Sequence, residues 1–298
     1  MNQAANSPTG ASNTEFDVAI IGGGINGAGI ARDAAGRGAR VALIEMNDIA
    51  SATSSASSKL IHGGIRYLEH YEFSLVREAL AEREILLGIA PHLIKPMAFV
   101  MPHVPHLRPT WMIRIGLALY DRLGGKRSVP ASRALDLTRD PLGAGLKPEL
   151  KKGYVYSDCF VDDARLVLAN VTDAVAHGAE FFSRHKLQHA KPTGNGWQLD
   201  LVHGGETKRI NARAIVNAAG PWVRDIVDRL DKATTANDVR LVKGSHIVVP
   251  RLYDGDHAYI LQNDDRRVVF TIPYEKHFTA IGTTDVPFDD DPANVTID

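Results

Sequence analysis

An α/β fold is predicted, with a Rossmann-like domain interleaved with a mainly antiparallel-sheet domain, and three observations predict it. Residues 16–45 read as strand, glycine-rich turn, helix and second strand. Residues 214–220 are another apolar run closing on a glycine turn. From Val239 onward the chain is dense in short strands.

Met1 to Glu15 are small and polar, with no basic n-region and no apolar h-region, so they read as a disordered leader rather than a signal peptide. Phe16-Asp17-Val18-Ala19-Ile20-Ile21 has the apolar character of a strand buried on both faces. Gly22, Gly24 and Gly27 follow as G-x-G-x-x-G. The first glycine permits the tight turn, the second lets backbone approach a pyrophosphate, and the third lets the helix pack on the strand. Phosphate then meets the N–H groups and positive dipole end of the helix. Gly29 and Ala31 keep that helix thin against the sheet, and it runs out near Gly36-Arg37-Gly38. Val41-Ala42-Leu43-Ile44 is the second strand, ending on Glu45, whose carboxylate is placed to accept hydrogen bonds from ribose hydroxyls. A lone glycine motif is weak; the ordered series predicts a dinucleotide site and leaves NAD or FAD to other residues.

Residues 51–58 form a serine-rich run, the composition of a flexible linker. Lys59, His62 and the Gly63-Gly64 pair then lead into a helix-like pattern near Tyr67, which suits a loop wrapped around phosphate and a polar ring. Leu75, Leu80 and Leu87 among charged residues continue that helix to Gly88. Pro91, Pro96, Pro102, Pro105 and Pro109 divide the region from 91 to 109 into short strands and turns. Asp162 is a good N-cap for a helix ending at Gly178, and a strand returns at 179–183. Gly204-Gly205 between residues 196–202 and 208–210 signals a hairpin. Strands are expected at 246–249, 259–262, 268–272 and 278–282.

The chain has 298 residues, 44% of them apolar, enough for about two domains. A net charge of −1 gives no general attraction to nucleic acid. The single cysteine, Cys159, excludes an intramolecular disulfide and offers no cysteine cluster for a metal. No run of 18 apolar residues is present to span a bilayer.

The string Ala52-Thr53-Ser54-Ser55-Ala56-Ser57-Ser58-Lys59-Leu60-Ile61-His62-Gly63-Gly64-Ile65-Arg66-Tyr67-Leu68-Glu69, downstream of the glycine turn, closely resembles the aerobic FAD-dependent glycerol-3-phosphate dehydrogenases. The likeness continues through Tyr156-Ser157-Asp158-Cys159, Val161-Asp162-Asp163-Ala164-Arg165, Ala219-Gly220-Pro221-Trp222, Lys243-Gly244-Ser245-His246 and Ile281-Gly282-Thr283-Thr284-Asp285, and so covers essentially all of the chain after the leader. The resemblance implies an FAD enzyme that oxidises sn-glycerol 3-phosphate to dihydroxyacetone phosphate and passes electrons to a membrane quinone, on the cytoplasmic face of the inner membrane. Homodimer formation is compatible with it. Oxygen as acceptor, or a chain that binds FAD weakly without its partner segments, are the alternatives. Members of the family continue past the position of Asp298 into a further arginine-bearing segment, a glycine-lysine-threonine segment and a helical domain. The expected organisation is a leader at 1–15, FAD-binding parts at 16–75 and 158–235, a substrate or cap excursion at 76–157, and the first part of a substrate domain at 236–298.

By the same resemblance Gly22, Gly24, Asn26, Gly27 and Glu45 hold the adenosine and pyrophosphate half of FAD, and Thr53, Ser54, Ser57, Ser58, Lys59, Leu60, His62, Gly63 and Gly64 surround the pyrophosphate and ring. Ala219 and Gly220 cover the ring from its other side, although such a glycine also simply ends a strand. Alcohol oxidation needs a base for the hydroxyl proton. His246 is favoured because its unperturbed pKa lies near neutrality, the alternative being a structural histidine hydrogen-bonded in a strand. Arg66 and Tyr67, and then Thr283, are the candidates for contacting substrate. Residues 106–127 combine large apolar side chains with Arg108, Arg114, Arg122, Lys126 and Arg127, a composition suited to an anionic membrane surface. Trp111, Ile115 and Leu119 share one helical face, which Arg122 interrupts; a helix packed on its own domain is the alternative.

Overall fold

The computed structural model describes residues 15–231, 239–265, 267–282 and 284–297. The chain divides into two compact units, one formed by Met1–Ser55 and Ala164–Val239, the other by Ala56–Asp163 and Arg240–Asp298. The divisions thus fall at 55/56, 163/164 and 239/240, where the sequence suggests 75/76, 157/158 and 235/236. The serine run is cut in two: its first half belongs with the glycine turn and its second half with the antiparallel unit. Apart from Glu15, the expected leader lies outside the described residues.

In chain order, the first unit begins with β1 (Glu15–Ile21), α1 (Ile25–Gly36) and β2 (Val41–Glu45). The second unit takes β3 (Leu60–Ile61), α2 (Phe73–Ile89), β4 (Ile94–Pro102), α3 (Thr110–Leu123), β5 (Arg133–Asp136) and β6 (Lys152–Val161). The first unit resumes with α4 (Asp163–Ala176), β7 (Glu180–Ser183), β8 (Lys186–Thr193), β9 (Gly196–His203), β10 (Glu206–Asn217) and α5 (Val223–Asp228). The second unit ends with β11 (Val242–Lys243), β12 (His246–Pro250), β13 (Ala258–Gln262), β14 (Val268–Tyr274), β15 (Phe278–Gly282) and β16 (Val286–Pro287).

In the first unit six strands run in the order β7-β2-β1-β10-β9-β8, with β7, β2, β1 and β10 parallel and the last three antiparallel. Alternation along β2 explains why both faces are apolar. Val41 and Leu43 pack with Ala28, Ala31 and Ala35 of α1 and Val167 and Val171 of α4, while Ala42 and Ile44 join Phe182, Leu199 and Ile210 on the other face. Ala31 does hold α1 close, but a Cβ on Gly29 would meet nothing within 4 Å, so that glycine is not a packing contact. The runs at 208–210 and 214–217, expected as two strands, are one: β10 leaves the β9 hairpin antiparallel and continues in parallel register along β1, from Glu15↔Asn211 to Ile21↔Asn217.

In the second unit the main sheet runs β12-β15-β14-β13-β4-β6-β3, with β5 also on β6. All its pairs are antiparallel but β13–β4. One face is covered by α2 and α3 through Val76, Leu80, Leu117 and Tyr120, packed on Phe99, Tyr156 and Ile260. The opposite face carries Val100, Leu135, Leu137, Val155 and Tyr259. The proline-spaced region holds one nine-residue strand, β4, rather than short pieces, and Pro96 sits within it opposite Cys159. The expected helix at 67–88 is interrupted: a 3-10 turn, Ile65–His70, ends at Tyr71 with φ 61°, and α2 starts at Phe73. The buried stripe of α2 is Val76, Leu80 and Arg83, whereas Leu75 is 46% exposed.

α3 starts directly after Pro109, as proline rules predict. It packs through Leu117 and Tyr120 and leaves Trp111, Met112 and Ile115 exposed. Two cations assigned to a membrane surface are already engaged: Arg108 donates to Gln262 and Glu69, and Arg127 pairs with Asp121 at 3.1 Å. No helix among the described residues is long and apolar enough to cross a membrane.

Candidate active site

In the first unit the glycine turn is built by its neighbours. Gly22 has φ 116°, a conformation that glycine alone adopts at little cost, and its N–H donates to Ile44 O at 2.8 Å. A Cβ there would strike Ala218 O, and one on Gly27 would strike Gly22 O. Gly24 differs. Its nearest obstacle would be Ser54 Oγ at 3.1 Å, so protein packing alone does not demand glycine there. Ser54 Oγ accepts from Ile25 N–H at 3.0 Å, at the head of α1, and no acidic residue occupies the first turn.

Glu45 Oε2 accepts from Gly23 N–H and Oε1 from Asn47 N–H, both at 2.7 Å, which fixes the carboxylate beside the turn. The segment at Ala218-Ala219 abuts Gly22, and Gly220 follows with φ 54° and open space around its Cβ position. Gly22, Gly24, Gly27, Glu45, Ser54 and Ala219 are therefore brought to one end of α1. Asn26, Thr53 and Gly220 are exposed beside them in sequence.

In the second unit a different group assembles. Lys59 adopts φ 56°, uncommon for a non-glycine residue, and its N–H donates to Ser57 Oγ at 3.0 Å. Lys59 Nζ lies 2.6 Å from Asp163 Oδ1, and Ser57 Oγ donates to Asp163 Oδ2 at 2.7 Å. The resemblance assigns Lys59 to a phosphate loop, but here its charge is spent on a nearly buried aspartate. Ser58 Oγ is 3.0 Å from His246 Nε2. Leu60 and Ile61 pair with Phe160 and Cys159, which anchors the loop to β6.

His246 opens β12 opposite Gly282 of β15. A Cβ on Gly282 would strike the imidazole, so this glycine makes the room the ring occupies. Partial burial, and then the Lys59 charge, hold the His246 pKa below its usual 6.5. The ring is thus neutral at pH 7 and able to accept a proton. Thr283 lies outside the described residues. His62, Arg66 and Tyr67 are exposed, and Tyr67 packs over Gly64. Arg66 has no ion pair among the described residues.

Sequence reasoning missed the group behind the Gly63-Gly64 turn. Gly63 N–H donates to Tyr120 Oη at 2.8 Å, and that hydroxyl donates to both oxygens of Asp158. Arg83 Nη1 donates to Asp158 Oδ1 at 2.8 Å and Nη2 to Glu84 Oε1 at 2.8 Å. Burial holds the Asp158 carboxyl above its ordinary value, against the opposing pull of Tyr120 and Arg83. A Cβ on Gly63 would lie 2.7 Å from Tyr120 Oη, so helices α2 and α3 clamp this turn. Burial also pushes the Cys159 thiol up to about 12, which makes it a poor nucleophile.

A parallel strand–turn–helix–strand with free helix N–H groups and a terminal glutamate defines a dinucleotide-binding protein. The chain belongs to the FAD dependent oxidoreductase family, whose model matches residues 17–298, and its cofactor is FAD. The residues present fit that cofactor, because the space over Gly24 and the head of α1 is left open by the protein itself. Over 98% of its length the chain is 56% identical to a glycerol-3-phosphate dehydrogenase of Pseudomonas aeruginosa, and over 95% it is 52% identical to a D-erythritol 1-phosphate dehydrogenase of Brucella abortus. It spans 57% of the length of each. The glycerol-3-phosphate dehydrogenase of Bacillus halodurans complexed with FAD matches in structure with TM-score 0.75 at 31% identity, covering 96% of this chain and 51% of that one. The resemblance drawn from the sequence is borne out.

Proposed function

We propose that the protein oxidises sn-glycerol 3-phosphate to dihydroxyacetone phosphate, with electrons passed to a membrane quinone. Held at the glycine turn and the head of α1, FAD would supply the acceptor for the hydride of the secondary alcohol carbon. His246 takes the hydroxyl proton on Nδ1, in the tautomer whose Nε2–H is given to Ser58 Oγ, and that contact orients the ring. Arg66, carrying no ion pair among the described residues, supplies charge for the substrate phosphate, with Tyr67 next to it in the chain. The observation that carries this reading is the half-buried His246, held neutral by burial and the neighbouring Lys59. The test is reduction of a quinone analogue by the FAD-loaded protein with glycerol 3-phosphate, run against oxygen as acceptor and D-erythritol 1-phosphate as substrate. Preference for the erythritol ester would keep the chemistry and change the substrate.

His246→Ala is expected to lower turnover by about 100-fold, the usual range for losing a general base. In the parent, the acid limb of kcat/KM should lie below pH 6.5, because the lowered pKa keeps the base form dominant until the pH falls past it. The same sign applies to stability. The unfolded histidine binds protons first, so this group's contribution is complete above about pH 6.5 and is lost as pH falls toward the lowered value. An unaltered acid limb in the variant would transfer the role, with His62 the next residue to examine.

A peripheral position on the cytoplasmic face of the inner membrane belongs to the same proposal, since quinone lies in the bilayer. It is supported by the exposed Trp111, Met112 and Ile115 of α3.

A further inference from the structure

A pocket of about 640 Å³ opens against α3, within the second unit. Its lining includes Arg114, Arg122, Arg127 and Arg133, with Asp121 the one carboxylate among the lining residues. Arg127 is neutralised by Asp121 at 3.1 Å and Arg133 by Asp140 at 3.0 Å. Arg122 gives Nη1 to Ala118 O at 2.8 Å and has no carboxylate partner among the described residues; the Arg114 side chain has neither hydrogen bond nor ion pair among them. Two guanidiniums thus face a concave site with donors to spare, the arrangement that recognises a phosphate by paired N–H groups.

The helix shows what the phosphate is attached to. At about 100° per residue, with Arg114 at zero, Asp121 and Ala118 fall within about 40° of it and Arg122 at about 80°. Trp111, Ile115 and Met112 fall at about 60°, 100° and 160°, and the buried Leu117 and Tyr120 at about 300° and 240°, opposite the exposed apolar residues. The arginine face and the exposed apolar face therefore adjoin, and Arg122 stands between Trp111 and Ile115. Trp111 and Ile115 are 62% and 60% exposed. A soluble anion needs no apolar border, whereas a phospholipid offers a phosphate and an acyl chain side by side.

We propose that this pocket seats the phosphate of an anionic phospholipid, with Arg114 and Arg122 as its ligands and Trp111 and Ile115 against the adjoining acyl region. The inference rests on the reading that α3 meets a membrane, and the experiment separates the two. Purified FAD-loaded protein is sedimented with vesicles of phosphatidylcholine alone and with added phosphatidylglycerol. The parent should prefer the anionic vesicles, and Arg114→Gln with Arg122→Gln should weaken that binding roughly 25-fold, from about fivefold per arginine near such a surface. Lys147→Gln with Lys151→Gln, an equal loss of charge outside the pocket lining, should change it less than about threefold. Trp111→Ser with Ile115→Ser should weaken binding to both vesicle types. A parent that binds neither vesicle overturns the membrane reading itself. A parent that binds while the arginine and lysine variants lose affinity equally overturns only the pocket, leaving diffuse charge. Inorganic phosphate that binds the parent in calorimetry, fails with the arginine variant and leaves vesicle binding untouched would replace the lipid by a soluble anion.

Discussion

Gly24→Val should give a folded protein that no longer retains FAD. The new Cβ would meet only Ser54 Oγ, so the turn and α1 stay formed, but the methyl groups it carries would occupy the space through which backbone approaches the pyrophosphate. The contrast is with Gly27→Val, whose Cβ would run into Gly22 O and separate α1 from β1. The expected pair of results is normal circular dichroism without flavin absorbance for the first variant, and insoluble or unfolded protein for the second. Stoichiometric flavin on purified Gly24→Val would remove the head of α1 from the cofactor site.

Asp158→Ala should destabilise the fold by about 3 kcal/mol, toward the low end for breaking a buried ion pair because Glu84 still holds the second Arg83 nitrogen. Asp158 is 1% exposed and Arg83 4%, so water does not replace the lost partner, and Arg83 is left with Glu84 and the Ser157 carbonyl alone. Urea unfolding measures the loss. Coupling Asp158→Ala to Arg83→Met should recover much of it, since removing both charges is cheaper than leaving one. Tyr120→Phe should cost about 1–3 kcal/mol, because it leaves the Gly63 N–H buried without its acceptor. A double variant no more stable than Asp158→Ala would place the cost in lost packing instead.

The glycine turn and its strands were legible because their signals are local: each glycine, the apolar run and Glu45 act within one βαβ unit. His246 was legible as a candidate through its string, although its environment was not. Ser58, its partner, lies 188 residues away in the chain, and Lys59 meets Asp163 across 104. Arg83 escaped because an arginine on a charged helix reads as solvated, and the aspartate that buries it is 75 residues downstream. β10 was divided because Asn211-Ala212-Arg213 lacks the apolar alternation of its two ends; the pairing with β9 and then β1 supplies continuity that composition does not. Leu75 and Leu80 belong to one helical pattern, yet only Leu80 is buried, because helical spacing alone does not fix which way the helix is rolled.

The parallel seam between β1 and β10 also sets an order on birth of the chain at the ribosome. β1 finds β2 about 23 residues further on, but its other edge waits for residues 211–217, about 200 positions later. At translation rates of roughly 5–20 residues per second, that edge stands open for about 10–40 seconds while the whole first part of the second unit is synthesised. The hairpins β8–β9 and β9–β10 are local and can form as they emerge, so the nascent chain closes its oldest strand by docking a preformed antiparallel ribbon onto it. Until then an unpaired apolar strand edge is the surface that chaperones must shield.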